Sequence, residues 1–281
     1  MPFETIALAR EGAVAVLTFA RPHVLNAFDP ALIAETNRAM TDLARDETVR
    51  AIMVRGAGRA FSAGFDLKAG VGEAARRGPE DWRRILEADF EFIMQFWDCP
   101  KPTVAAIHGY CLGGAFELAL ACDVSVAAQG TRFGCPEVKF GSGAVALLLP
   151  FVVGAKAAKE LALTGDDHLD AERALALGVV NHVTPGGEEM AKAMALAQAM
   201  AGADPLAVRL SKRALNRSYE AMGLRVALAQ ALECEIFIES AGGPTRAAFD
   251  RIRKDEGLAA ALAWRDRARS APGEAGEMPT R

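Results

Sequence analysis

The chain has 281 residues, 51% of them hydrophobic, enough for one or two domains with a substantial core. Its 32 Lys plus Arg against 36 Asp plus Glu give a formal charge of −4, a balance that does not gather a polyphosphate backbone. The longest run without a formal charge, residues 140–155, holds three glycines and Pro150 and is too short to span a bilayer. No basic segment followed by an apolar run opens the chain. A cytoplasmic globular protein with neither nucleic acid nor membrane as partner is expected. Five cysteines without a Cys-x-x-Cys pair and four scattered histidines suggest no disulfide framework and no metal.

In chain order, residues 3–9 and 13–19 read as strands of a hairpin around a three-residue loop, Arg10, Glu11 and Gly12. Asp29-Pro30 reads as N-cap and first residue of a helix whose buried stripe is Leu32, Ile33, Thr36, Met40 and Leu43. Residues 51–54 and 104–107 are short apolar runs suited to strands covered on both faces, and each leads into a glycine-rich loop. Helices are expected at 155–163, 170–177 and 187–201, with a strand at 179–183. From Asp204 to about Ala268 the pattern is helical and breaks at Gly242-Gly243-Pro244. This divides the chain into an α/β core at 1–195, a helical region at 196–269 and a frayed tail at 270–281.

Three segments carry candidate chemistry. The run from Gly56 to Lys68 places small residues after a buried strand, where backbone amides can approach a ligand, although glycines there also serve simple turns. After the next strand, Gly113-Gly114 opens a short apolar helix whose first amides favour negative charge. Glu117 falls in that first turn. Stabilisation of the helix dipole is one role for it, but Ala115, Phe116, Leu118 and Ala119 leave it no polar face, and a buried carboxylate is costly. Glu137 follows Pro136 ahead of the uncharged run, either as a loop acid or facing a dry cavity.

Together these segments resemble the enoyl-CoA hydratase/isomerase, or crotonase, family. The matching residues are Arg21-Pro22 to Asn26-Ala27, Phe61-Ser62-Ala63-Gly64-Phe65-Asp66-Leu67-Lys68, Gly109-Tyr110 through Gly113-Gly114 to Glu117-Leu118, and Phe133-Gly134 to Pro136-Glu137. Leu163-Thr164-Gly165 and Leu177-Gly178-Val179-Val180 extend the likeness. The resemblance implies a spiral of repeated ββα units with C-terminal helices that build homotrimers or hexamers, and a CoA thioester as substrate. It requires no separate cofactor, since coenzyme A enters with the substrate. By position, the Phe65 and Gly114 amides would form an oxyanion hole, Glu117 and Glu137 would hold a water as base and acid, and Ala63, Asp66, Leu67, Arg59 and Lys68 would contact CoA. Keeping both acids favours hydration of a 2-enoyl-CoA. An isomerase and a dehydratase or hydrolase of a polar or cyclic acyl-CoA are the alternatives.

Two stretches depart from the family pattern. Residues 140–150 are shorter and more apolar than usual, and Ala144-Val145-Ala146-Leu147-Leu148-Leu149 would grease the acyl pocket toward longer, branched or cyclic groups. Trp264-Arg265 stands where a neighbouring subunit often lends CoA a lysine. Ala227, Leu228, Ala231, Leu232, Ile236 and Phe237 form an apolar face suited to subunit contact. From other classes, a serine peptidase would have to use Ser62 or Ser142 with His108, though no nucleophile elbow surrounds either serine, and a non-catalytic CoA- or RNA-binding protein would not need both acids.

Overall fold

The computed structural model describes residues 3–68 and 77–270. The first hairpin is formed by β1 (Ile6–Glu11) and β2 (Val14–Phe19), with Glu11 paired to Val14. Its connection is therefore the two residues Gly12 and Ala13, not the expected three, and Gly12 takes the positive φ of +61° that the tight turn needs. α1 (Pro30–Arg45) follows, capped as expected by Asp29, whose carboxylate accepts from Leu32 N–H at 2.8 Å. β3 (Ala51–Gly56), α2 (Pro79–Asp98), β4 (Thr103–Ile107), β5 (Tyr110–Leu112), α3 (Gly114–Ala121), β6 (Val124–Ala128) and β7 (Arg132–Gly134) complete the first half.

The second half contains α4 (Leu149–Val152), α5 (Ala155–Thr164), β8 (Leu169–Asp170), α6 (Ala171–Leu177), β9 (His182–Thr184) and α7 (Glu189–Gly202). Four further helices end the described chain: α8 (Pro205–Ala221), α9 (Leu224–Ala241), α10 (Pro244–Glu256) and α11 (Leu258–Ser270). The tail expected at 270–281 lies, beyond Ser270, outside the described residues.

The main sheet runs β1-β2-β3-β4-β6-β9, parallel except for the hairpin, and a smaller one runs β5-β7-β8. Two strand-plus-strand turns, β4/β5 and β6/β7, contribute to both sheets, and in the turn before them the Ser62–Cys111 bridge stands in for the second strand. The main sheet is buried on both faces. Ala15, Leu17, Phe19, Ile52, Val54, Ala105 and Ile107 point into the larger core, while Val14, Val16, Met53, Val104 and Ala106 meet Ala193, Met194 and Ala197 of α7 on the other. The proposed division at residue 195 thus falls inside a helix that packs on the sheet, and the α/β core continues through α7.

A second correction concerns α9. Leu224, Leu228, Leu232 and Ile236, one per turn, are buried in the chain's own core, because α9 packs against α2. Of the face expected to join subunits, Phe237 stands out at 73% exposed. The wider exposed apolar set is Leu206, Leu210, Leu215, Met222, Val226, Phe237 and Ile238 on α8, α9 and their junction.

Candidate functional site

Fully buried Asn26 ties the first turn of the spiral to the next. Its Oδ1 accepts from Arg21 N–H at 2.9 Å, and its Nδ2 donates to the carbonyls of Ala57 and Ala60 at 2.8 and 2.9 Å. Ser62 Oγ donates to Asn26 O at 2.8 Å and accepts from Gly64 N–H at 3.1 Å. This serine is structural, and His108 instead reaches Gly58 O and Glu189, so the peptidase arrangement does not form.

The same framework aims two amides. Phe28 N–H donates to Gly64 O and Phe28 O accepts from Asp66 N–H, so Phe65 between them turns its own N–H to the opposite side. At the start of α3, Phe116 and Glu117 N–H both fold back onto Gly113 O, and the Gly114 amide has no acceptor among the described residues. The two segments touch. A Cβ on Gly64 would stand 3.1 Å from Gly114 N, and one on Gly114 would stand 2.4 Å from the Phe65 ring. Glycine at 64 and 114 is what lets the two amides approach.

Glu117, 6% exposed, lies beside them. Its Oε1 accepts from Val145 N–H at 3.0 Å and its Oε2 from Ala146 N–H at 2.9 Å. Burial pushes its pKa up to about 7, the two amides oppose that rise, and Glu235 and Asp89 add to it wherever they are ionised. Glu137, at the start of a short 3₁₀ turn (Glu137–Phe140), approaches from across Gly113: a Cβ there would stand 2.8 Å from its Oε1. Its pKa is held well above the ordinary carboxylate value, first by burial and then by Glu117. The two titrate as a pair. The structure therefore brings together Phe65 of one loop, Gly114 and Glu117 of α3, and Glu137 of the 3₁₀ turn, from three separate segments.

The remaining expected residues surround the outer side of the Phe65 loop. Arg59 and Lys68 are exposed cations, Ala63 N–H donates to Leu25 O at 3.0 Å, and Asp66 accepts from Lys68 N–H at 2.9 Å and pairs with Arg21 at 3.4 Å. The Leu67 carbonyl accepts from Arg253, and its side chain joins Phe140 and Phe249. Hence α10 folds over the site of its own chain. Arg265 pairs with Asp167 of the same chain at 3.2 Å. The leucines expected to grease the acyl pocket turn inward: Leu148 and Leu149 belong to the main core, while this segment presents its Val145 and Ala146 amides to Glu117.

Several residues of the site were not singled out in the sequence. Asp89 sits in the buried stripe Trp82, Leu86, Ile93 and Phe96 of α2, and burial raises its pKa to about 7. Its heptad position was the available signal. Glu235 and Glu239 of α9 are buried and both meet Ser142. A surface hollow of about 440 Å³ between Pro79 and the Ile236–Phe237 side of α9 touches neither catalytic candidate. Among the described residues no His, Cys, Asp and Glu cluster suits a metal ion, and no helix is long and apolar enough to cross a membrane.

Residues 9–240 match the sequence model of the enoyl-CoA hydratase/isomerase family. The chain belongs to this family. Relatives include a short-chain-enoyl-CoA hydratase of Clostridium acetobutylicum, 33% identical over 243 residues, which span 85% of this chain and 90% of that one. A carnitinyl-CoA dehydratase of Escherichia coli is 36% identical over 225 residues, 77% of this chain and 82% of the other. A crystal structure of an enoyl-CoA hydratase/isomerase from Xanthobacter autotrophicus Py2 superposes with a TM-score of 0.93 at 46% identity, covering 97% of this chain and all of the other. The fold is the crotonase fold, and the protein is an enzyme of the hydratase/isomerase family acting on acyl-CoA thioesters.

Proposed function

We propose that the protein hydrates a 2-enoyl-CoA thioester. The observation that carries this reading is the unequal environment of its two acids: Glu117 is gripped by two amides that favour its charge, while Glu137 has its pKa pushed well above the carboxylate range. One base and one acid at neutral pH is what adding water requires. The thioester oxygen would sit between the Phe65 and Gly114 amides, and each such donor contributes about 3 kcal/mol to the enolate in comparable sites. Glu117 takes a proton from a water shared with Glu137 as its oxygen bonds to the β-carbon. The electron pair of the double bond moves into the enolate, and Glu137 returns a proton to the α-carbon on the same face, giving syn addition. No metal and no separate cofactor takes part in this scheme. Arg59, Ala63, Asp66, Leu67 and Lys68 form the proposed CoA contact.

The same chemistry run backward is a dehydration, the activity in the name of the Escherichia coli relative. A cytoplasmic homotrimer or dimer of trimers, joined through the apolar side chains exposed on α8 and α9, completes the proposal. A spectrophotometric screen across enoyl-CoA chain lengths, with mass detection of the product, tests it. Loss of the enoyl absorbance with a gain of one water is expected. A product of unchanged mass would identify an isomerase and overturn the hydratase reading.

A further inference from the structure

The turn that carries the Val145 and Ala146 amides is itself held from α9, through a hydrogen-bond chain whose proton count is informative. Ser142 Oγ lies 2.5 Å from Glu239 Oε1 and 3.0 Å from Glu235 Oε1. A serine hydroxyl carries one hydrogen and makes one strong, near-linear bond with it. Glu239 Oε1 also accepts from Arg246 Nη1 at 2.7 Å, so Glu239 is the partner stabilised as an anion and takes the serine hydrogen. Two oxygen lone pairs would then face each other between Ser142 and Glu235 unless a hydrogen lay between them. Among the described residues, the Glu235 carboxyl is the group placed to provide it.

We propose that Glu235 is a positioning residue that remains protonated in the working enzyme, donating to Ser142 Oγ and thereby fixing the 141–146 turn whose amides orient Glu117. The surroundings agree. Glu235 is 2% exposed, and its Oε2 is buried without a hydrogen bond in good geometry. A Cβ on Gly143 would stand 2.3 Å from that oxygen, so the carboxyl presses directly on the turn's backbone. The groups facing it are Glu239 on its own helix, Glu117 of α3, Glu137 of the 3₁₀ turn, Ser142 and the Gly143 amide of the turn, and Arg246 of α10. Burial and then the neighbouring Glu239 charge raise its pKa, opposed by the Gly143 amide, Ser142 and Arg246, whose guanidinium is itself engaged by Glu239 and Asp250. Ionising Glu235 would set a further anion beside Glu117 and Glu137 and break the chain at Ser142.

The role of Glu235 rests on reading Glu117 as the base only where activity is measured, so the test has two arms that need no substrate. In difference infrared spectra at pH 7, wild type minus Glu235→Gln should show the carbonyl stretch of a protonated carboxylic acid. A carboxylate band in its place overturns the proposal. In hydrogen exchange read by mass spectrometry, Glu235→Ala should speed exchange across residues 141–148 by about tenfold, the loss of one hydrogen bond, while Glu235→Gln, whose amide still donates, stays within about threefold of wild type. Gln behaving like Ala, or neither variant differing from wild type, overturns it. If Glu235→Ala does not fold, Ser142→Ala removes the same link and should speed the same segment, and unchanged exchange there overturns the proposal. In the third arm, kcat for enoyl-CoA hydration should fall about tenfold in Glu235→Ala and no more than about threefold in Glu235→Gln, with KM little changed. A change confined to KM, with kcat unaltered, overturns the positioning role. If no enoyl-CoA is hydrated by wild type, the hydratase reading fails and the first two arms still decide the state of Glu235.

Discussion

Replacing Glu117 by glutamine should change how stability depends on pH as well as how fast the enzyme turns over. Burial lifts the Glu117 pKa from 4.5 to about 7. Between those values the unfolded chain has lost this proton and the folded protein still holds it, so stability falls as pH rises through the window. The rise of roughly 2.5 units, at about 1.4 kcal/mol per unit, corresponds to about 3 kcal/mol, full below pH 4.5 and gone above about pH 7. Glutamine cannot ionise and removes this slope. It also turns one amide group toward the Val145 and Ala146 N–H donors and leaves one without an acceptor, a pH-independent cost of about 1–3 kcal/mol. The variant should therefore be less stable than wild type at pH 5 and match or exceed it at pH 8. Urea unfolding followed at several pH values measures the difference. Parallel curves for the two proteins from pH 5 to 8 would refute the argument, because Glu117 would then titrate alike in the folded and unfolded chain.

Three further outcomes follow from the same geometry. Glu137→Gln should lower hydration turnover by at least about 100-fold, as should Glu117→Gln, and the double variant should lose far less than the product of the two if they share one water; a multiplicative loss in steady-state kinetics would separate their roles. Gly113→Ala should reduce both stability and kcat, because Gly113 has a φ of +57° and the added Cβ would stand 2.8 Å from Glu137 Oε1; wild-type values in unfolding and kinetic assays would contradict this. Asp89→Asn removes a negative charge that raises the Glu117 pKa, so the acid limb of the kcat profile should move to lower pH, and an unmoved limb would place Asp89 outside the base's field.

Much of this arrangement was legible in the sequence because its determinants are local. Asp29 had to cap α1, glycine had to occupy the start of α3, and apolar neighbours on every side of Glu117 announced a buried acid. Other parts were hidden because they depend on contacts far apart in the chain. The segment ending in Leu147, Leu148 and Leu149 has the composition of a pocket wall, but hydrocarbon composition does not distinguish a side chain facing a ligand from one facing the core. The stripe of α9 was visible as apolar, yet whether it meets another subunit or α2 is a tertiary question, and in this fold it meets α2. Glu235 and Glu239 sit four residues apart on that helix and look like ordinary surface acids until Ser142, 93 and 97 residues distant, is brought between them.

The three buried carboxyls about the reaction centre differ mainly in what donates to them. Glu117 receives two turn amides, each of which favours its anion, and Glu137 meets the smooth face of Gly113 with only its own amide as donor and with Glu117 as the charge that most raises its pKa. Glu235 meets Ser142, whose only hydrogen is directed toward the Arg246-stabilised Glu239. Coulomb repulsion in a dry site discourages more than one negative charge, so the first ionisation goes where the donors are. That site is Glu117. In the proposed hydration the acid that gives up a proton is thus the neighbour with fewest donors, and the direction of proton flow follows from where the 141–146 turn places its backbone. A substitution that moves this turn without touching Glu117 or Glu137, the two proposed catalytic acids, should alter the pH dependence of both.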